Sequence, residues 1–163
     1  MGGAERTVLV TGGTTRIGKA IADALRTAGW RVITSSHRAD SGADIVADLA
    51  SPLGAAKLYS ECLRMLGGNP PDALVNNAAL FVGDDATLEA VNLEAPRKLT
   101  MLMAGRETGR GAVVNILDCR VLGGGEPRGA YERTKRGLLE STTKSAVIDC
   151  LPFREATARR RPG

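Results

Sequence analysis

The amino-acid sequence predicts an α/β domain, a parallel sheet doubly wound by helices. Three observations carry this. A short apolar run, Thr7–Val10, leads through Gly12 and Gly13 into Ile17, Ala20, Ile21, Ala24 and Leu25, spaced by three and four as on a helix. Short apolar runs then recur at 30–34, 43–47, 73–75 and 111–117 with helical patterns among them. A chain of 163 residues, 43% hydrophobic and 25% charged, suits one globular domain with a real core. The domain is expected over residues 1–150, with 151–163 as an Arg-rich, disordered tail.

The stretch Thr11-Gly12-Gly13-Thr14-Thr15-Arg16-Ile17-Gly18 organises the rest. Glycine lets the backbone turn tightly, and the unpaired N–H groups at the start of the following helix face an anion. Strand, glycine-rich turn and helix together make a phosphate cradle. Gly29 is expected to stop this first helix. Trp30–Thr34 reads as the second strand, followed by Ser35, Ser36, His37 and Arg38. Nucleotide-binding units of this kind place an acid near this strand end to hold the ribose hydroxyls of NAD. No acid precedes Asp40 here. Hydroxyls with His37 and Arg38 suit a 2′-phosphate, which predicts NADPH over NADH; an ordinary polar loop is the other reading.

Ala43–Ala47 is expected as a third strand, ending at Asp48-Leu49. Ser51-Pro52 reads as an N-cap followed by Pro at the first helical position. The helix to Leu66 is expected to bury Leu53, Ala56, Leu63 and Leu66, and Gly67–Pro71 breaks it. Ala73–Val75 is the fourth strand, leading into Asn76-Asn77-Ala78-Ala79. A helix follows from about Ala95 to Met103, and Gly111–Leu117 is the fifth strand, ending at Asp118. Tyr131 and Lys135 then lie four apart on one helix face. A Lys ammonium beside a phenol favours the phenolate, so the expectation is a Tyr131 pKa below its ordinary value of about 10. Such a Tyr can exchange a proton near neutral pH.

These motifs, in this order, resemble the short-chain dehydrogenase/reductase family, whose members have a Rossmann-like fold. The resemblance covers roughly residues 6–147. The cofactor loop matches at Thr11–Gly18, except that Arg16 stands where the family usually has Gly. Asp118, thirteen residues before Tyr131, stands where it usually has Ser. Both departures resemble the pteridine reductase and dihydromonapterin reductase branch. The resemblance implies that Gly12, Thr15, Arg16, Ile17, Gly18, Asn77 and Ala78 hold or border the cofactor, and that Lys135 holds the nicotinamide ribose. It implies that Asp48 and Leu49 flank the adenine, although a loop or capping role for Asp48 stays open. Phe81, four residues after Asn77, would stack on the pterin; a core role stays open. Asn92 would anchor a water in a proton relay. Asp118 would bind the pterin and assist Tyr131, or cap the loop after its strand. Arg16, Phe81, Asp118 and Tyr131 would line the substrate site. The activity implied is NADPH-dependent reduction of a pterin C=N bond, with Tyr131 as proton donor. The alternatives are a carbonyl reductase of the 3-oxoacyl thioester type and a non-catalytic NADP-binding paralogue.

The segment between Asn77 and Asn92 is shorter than the family's. Beyond residue 147 the resemblance stops, so the sixth and seventh strands are expected to be missing, through truncation or a frame-shifted reading, with a natural short paralogue as the other reading. That would leave a parallel edge unpaired and the chain marginally stable or self-associating. Family members commonly pair through the helices after the fourth and fifth strands, which implies a homodimer or homotetramer.

Composition narrows the remaining classes. The formal net charge is +4, and residues 151–163 hold four Arg against one Glu, so the body of the chain is nearly neutral. That argues against a nucleic-acid surface. Cys62, Cys119 and Cys150 have no metal-type spacing, so no metal site is expected. There is no membrane-length apolar run, and the first residues lack a signal-peptide pattern. A cytoplasmic protein acting on a small molecule is the expectation.

Overall fold

The structure is a computed structural model that describes residues 5–105, 111–122, 126–148 and 153–158. Six parallel strands form one sheet in the order β3-β2-β1-β4-β5-β6. They are β1 (Thr7–Thr11), β2 (Arg31–Ser36), β3 (Ile45–Val46), β4 (Ala73–Asn76), β5 (Gly111–Ile116) and β6 (Phe153–Ala158). The helices are α1 (Arg16–Thr27), α2 (Gly54–Met65), α3 (Asp85–Glu89), α4 (Ala95–Ala104) and α5 (Ala130–Ile148), with a π-turn over Ala90–Glu94 joining α3 to α4.

Strand alternation explains the two layers. Leu9, Leu74 and Val113 point to one face, where Leu58, Cys62, Leu99 and Met103 of α2 and α4 cover them. Val8, Val10 and Val75 point to the other, against Ile21 and Leu25 of α1. On the first face α5 joins through Leu138, packed with Leu93, Leu117 and Val121. A buried polar chain also ties α5 to the sheet: Asn76 Nδ2 donates to Asn115 Oδ1 at 2.8 Å, and Asn115 Nδ2 to Thr142 Oγ1 at 2.9 Å. No helix among the described residues is long and apolar enough to cross a membrane.

Three sequence expectations are corrected. The helix α2 starts at Gly54 with Leu53 as its cap residue, not at a Ser51 cap. Gly54 packs so closely on the Asp48 carbonyl that a Cβ there would collide with it, which leaves Ser51 and Pro52 in the preceding turn. The buried face therefore runs through Ala55, Leu58, Tyr59, Cys62 and Leu66, while Leu53 is 60% exposed. Lastly, β5 is not an edge. β6 pairs with it in parallel register from Gly111↔Phe153 to Ile116↔Ala158. So the domain does not close at 150, and residues 153–158 are strand rather than tail. The rest of the expected tail lies outside the described residues.

Candidate active site

The chain steps leftward from β1 to β3 and then crosses to β4, so the topological switch point lies between β1 and β4. The Gly-rich loop after β1 and the Asn77 turn after β4 both sit there. Thr11 and Asn77 bind the two loops together. Asn77 Nδ2 donates to the Thr11 and Gly12 carbonyls at 2.9 and 3.0 Å. The N–H groups of Asn77 and Ala78 both donate to Thr11 Oγ1 at 3.0 Å. A side chain at Gly18 would collide with the Gly12 carbonyl, so glycine is required where α1 begins.

Thr15 is the extended N-cap of α1, and its side chain makes no capping bond. Arg16, the first helical residue, has φ 48°. This left-handed conformation favours glycine, so Arg16 is held there against a local strain of about 1–3 kcal/mol. Such strain persists where the surroundings impose it, and here α1 is seated on the loop through Gly18. Arg16 and Thr15 are both exposed, and Ile17 is half-buried.

At the end of β2, Ser35 is buried in the sheet, Ser36 is half-buried and accepts from the Arg38 N–H, and His37 and Arg38 are exposed. Arg38 pairs with Asp40, Nε at 3.1 Å and Nη2 at 2.9 Å. This ion pair is exposed and contributes little to stability. Asp48 accepts from the N–H of Ala50 at 2.9 Å, which is the loop role left open above, and Leu49 is buried beneath it.

A second cluster forms where β5, α5 and the loop after β4 meet. Tyr131 donates its hydroxyl to Asp118 Oδ2 at 3.1 Å. Asp118 Oδ1 accepts from the Arg120 N–H at 3.0 Å, so this carboxylate both caps its loop and holds the phenol. Phe81 meets the Tyr131 ring edge-on, centroids 4.8 Å apart, and is 60% exposed; it is not a core residue. Asn92, fully buried in the π-turn, brackets Leu80. Its Oδ1 accepts from the Leu80 N–H and its Nδ2 donates to the Leu80 carbonyl, both at 2.8 Å. Nδ2 also reaches Thr134 Oγ1 at 3.3 Å. Asn92 thus fixes the residue before Phe81 and docks it on α5.

Electrostatics correct one expectation. The Tyr131 phenol is not lowered but pushed up to about 12, by burial first and then by the Asp118 carboxylate. Lys135 does not act on it. Its ammonium, 4% exposed, donates to the Ile116 carbonyl at 3.0 Å. Burial lowers it to about 8, against the pull of Asp118. Burial pushes the Asp118 carboxyl up, but donors from Arg120, Tyr131 and Cys119 outweigh it and hold it below the usual carboxylate range. Near neutral pH the cluster is therefore a carboxylate that accepts and a phenol that keeps its proton. Arg120 is the residue that sequence reasoning missed. Its guanidinium lies 4.9 Å from the Phe81 centroid and 5.9 Å from that of Tyr131. Its place two residues after Asp118 was the only available signal.

Among the described residues, no group of three or more His, Cys, Asp or Glu could hold a metal ion. A sequence profile of the NAD dependent epimerase/dehydratase family matches residues 8–143. The NADP-dependent (R)-specific alcohol dehydrogenase of Lentilactobacillus kefiri is 31% identical over 89% of this chain, which spans 66% of that relative's length. A metagenomic short-chain oxidoreductase in complex with NADP superposes with a TM-score of 0.83 at 26% identity, over 97% of this chain and 83% of that one. FolM Alternative dihydrofolate reductase 1 of Brucella canis, complexed with NADP, gives 0.80 at 30% identity, over 93% and 71%. The chain therefore belongs to the NAD dependent epimerase/dehydratase family, and with these relatives to the short-chain dehydrogenases/reductases.

Proposed function

We propose that this chain is an NADPH-dependent reductase acting on a C=N bond of a pterin-type ring. The observation that carries the reading is the Tyr131–Asp118 hydrogen bond of 3.1 Å beside the exposed Phe81 ring. The dinucleotide fits the residues present. The Gly12–Gly18 cradle is too tight for side chains at Gly18, and the start of α1 has no capping side chain on its N–H groups. Gly12, Thr15, Arg16, Ile17 and Gly18 would hold the pyrophosphate, and His37 and Arg38 a 2′-phosphate. Asp48 and Leu49 would border the adenine, and Asn77, Ala78 and Lys135 the nicotinamide half.

When bound, the reduced nicotinamide supplies the hydride. The protein supplies position and the proton. Phe81 offers an aromatic face for the ring. Asp118, ionised at neutral pH, accepts from N–H donors of the substrate. Tyr131, protonated across the physiological range, donates to the nitrogen of the reduced bond. The phenolate left behind, whose conjugate acid has a pKa of about 12, retakes a proton from solvent. The FolM structures, at 30% identity, support the pterin substrate. The alcohol dehydrogenase relative favours a second reading, carbonyl reduction through the same Tyr131 and Lys135. Asp118 in place of Ser weighs against it. Pairing of two copies through α4 and α5 belongs to the same family reading.

The test is NADPH consumption with a dihydropterin and, separately, with a 3-oxoacyl thioester. Only the dihydropterin should be reduced. Tyr131→Phe should lower kcat by about 1,000-fold or more while NADPH still binds. Full turnover by that variant would overturn the mechanism.

A further inference from the structure

The two cations beside Tyr131 are placed very differently. Lys135 is turned inward onto the Ile116 carbonyl. Arg120 is turned outward, with its side chain 47% exposed. It lies in the short 3-10 turn Cys119–Leu122 that follows β5, and its own N–H on Asp118 anchors that turn. The guanidinium rests over the Phe81 and Tyr131 rings. An arginine drawn to an aromatic ring by its charge still has N–H donors to offer an acceptor. Asp118 does not take them: its Oδ1 stands 4.0 Å from Nε, beyond hydrogen-bonding distance. Among the described residues no group accepts a hydrogen bond from this guanidinium. The rim of the substrate site therefore presents guanidinium N–H donors, with Asp118 as a neighbouring charge 4.0 Å away but not as their acceptor.

We propose that Arg120 is a subsite for a carboxylate carried by the substrate, so that the enzyme acts on a flat ring bearing an acidic substituent. The proposal rests on the site described above and names its substrate class. A planar carboxylate matches the fork with two parallel hydrogen bonds. Asp118, itself ionised, lies close enough to disfavour a dianion such as a phosphate monoester. The Phe81 and Tyr131 rings beside the guanidinium favour its position at the rim, which lowers the ordering needed on binding.

The test uses two matched pairs of substrates that differ only in this group. One pair is dihydropteroate and its carboxamide; the other is para-carboxybenzaldehyde and para-carbamoylbenzaldehyde. Wild-type kcat/KM should favour the carboxylate by about tenfold or more within a pair. Arg120→Met should bring that ratio close to one, mainly through KM, and Arg120→Lys should restore part of it. A wild-type ratio near one, or a ratio unchanged in Arg120→Met, overturns the proposal. If only the aldehydes are reduced, the pterin reading fails, while their ratio still decides the role of Arg120. If no member is reduced, the four compounds are titrated calorimetrically into the protein with NADP present. Tighter binding of the carboxylates, lost in Arg120→Met, then sustains the proposal; equal affinity or no binding overturns it.

Discussion

Lys135 keeps an ammonium almost wholly out of water, hydrogen-bonded to the Ile116 carbonyl with the Asp118 carboxylate nearby. Its depressed pKa of about 8, against 10.5 in the unfolded chain, makes stability depend on pH. Below about 8 both states are protonated, and burial of the charge costs the fold about 3 kcal/mol. Between 8 and 10.5 the unfolded chain binds more protons than the native one, so stability rises with pH. Urea unfolding of wild type and Lys135→Met should show it: the difference between their stabilities climbs in favour of wild type across that window. A flat difference would mean that Lys135 is hydrated in the native state. The pair Tyr131 and Lys135 was legible in the sequence as a spacing. The direction of the Tyr131 shift was not, because it depends on Ile116 and Asp118 competing for the two groups. Those contacts come from the end of β5 and the loop after it, and exist only once the sheet has formed. Arg120 escaped notice for the same reason, since its partner Phe81 lies on the loop after another strand.

At the scale of the element, the helical run α3–π-turn–α4 does more than cover the sheet. The π-turn presents Asn92 toward Leu80, and its amide replaces the pairing that a neighbouring strand would give that loop. Removing it leaves part-buried backbone groups of Leu80 without these partners, at about 1–2 kcal/mol. Asn92→Ala should therefore lower the urea midpoint and, by loosening the loop that carries Phe81, raise KM several-fold. Unaltered KM with reduced kcat would instead favour the water-relay role that the family resemblance implies. The strands and helices bearing these motifs were readable because each has a glycine, an asparagine or a Tyr–Lys pair at a fixed offset. The buried face of α2 was misread because the entry turn is set by Gly54 against Asp48, a contact that no periodicity reveals. β6 was missed because Phe153-Arg154-Glu155-Ala156-Thr157-Ala158 lacks the continuous apolar run of a buried parallel strand. Among the described residues it is bonded on one side only, and a sheet edge tolerates charge.

For the whole molecule, the two faces of the sheet are covered unequally. α2, α4 and α5 pack on one face, and among the described residues α1 alone packs on the other. α1 shelters Val8 and Val10, while Ala112, Val114 and Ile116 of β5 remain half-buried on that side. Phe81 and Val82, the latter 81% exposed, add a second apolar surface at the mouth of the site. An environment-sensitive dye such as ANS, which usually reports loosened tertiary packing, should therefore fluoresce with the native protein. A sharp near-UV circular dichroism spectrum measured on the same sample would show that the packing is intact. Dye-based melting curves would then start from a high baseline, and a fluorescence screen would score a well-folded preparation as damaged.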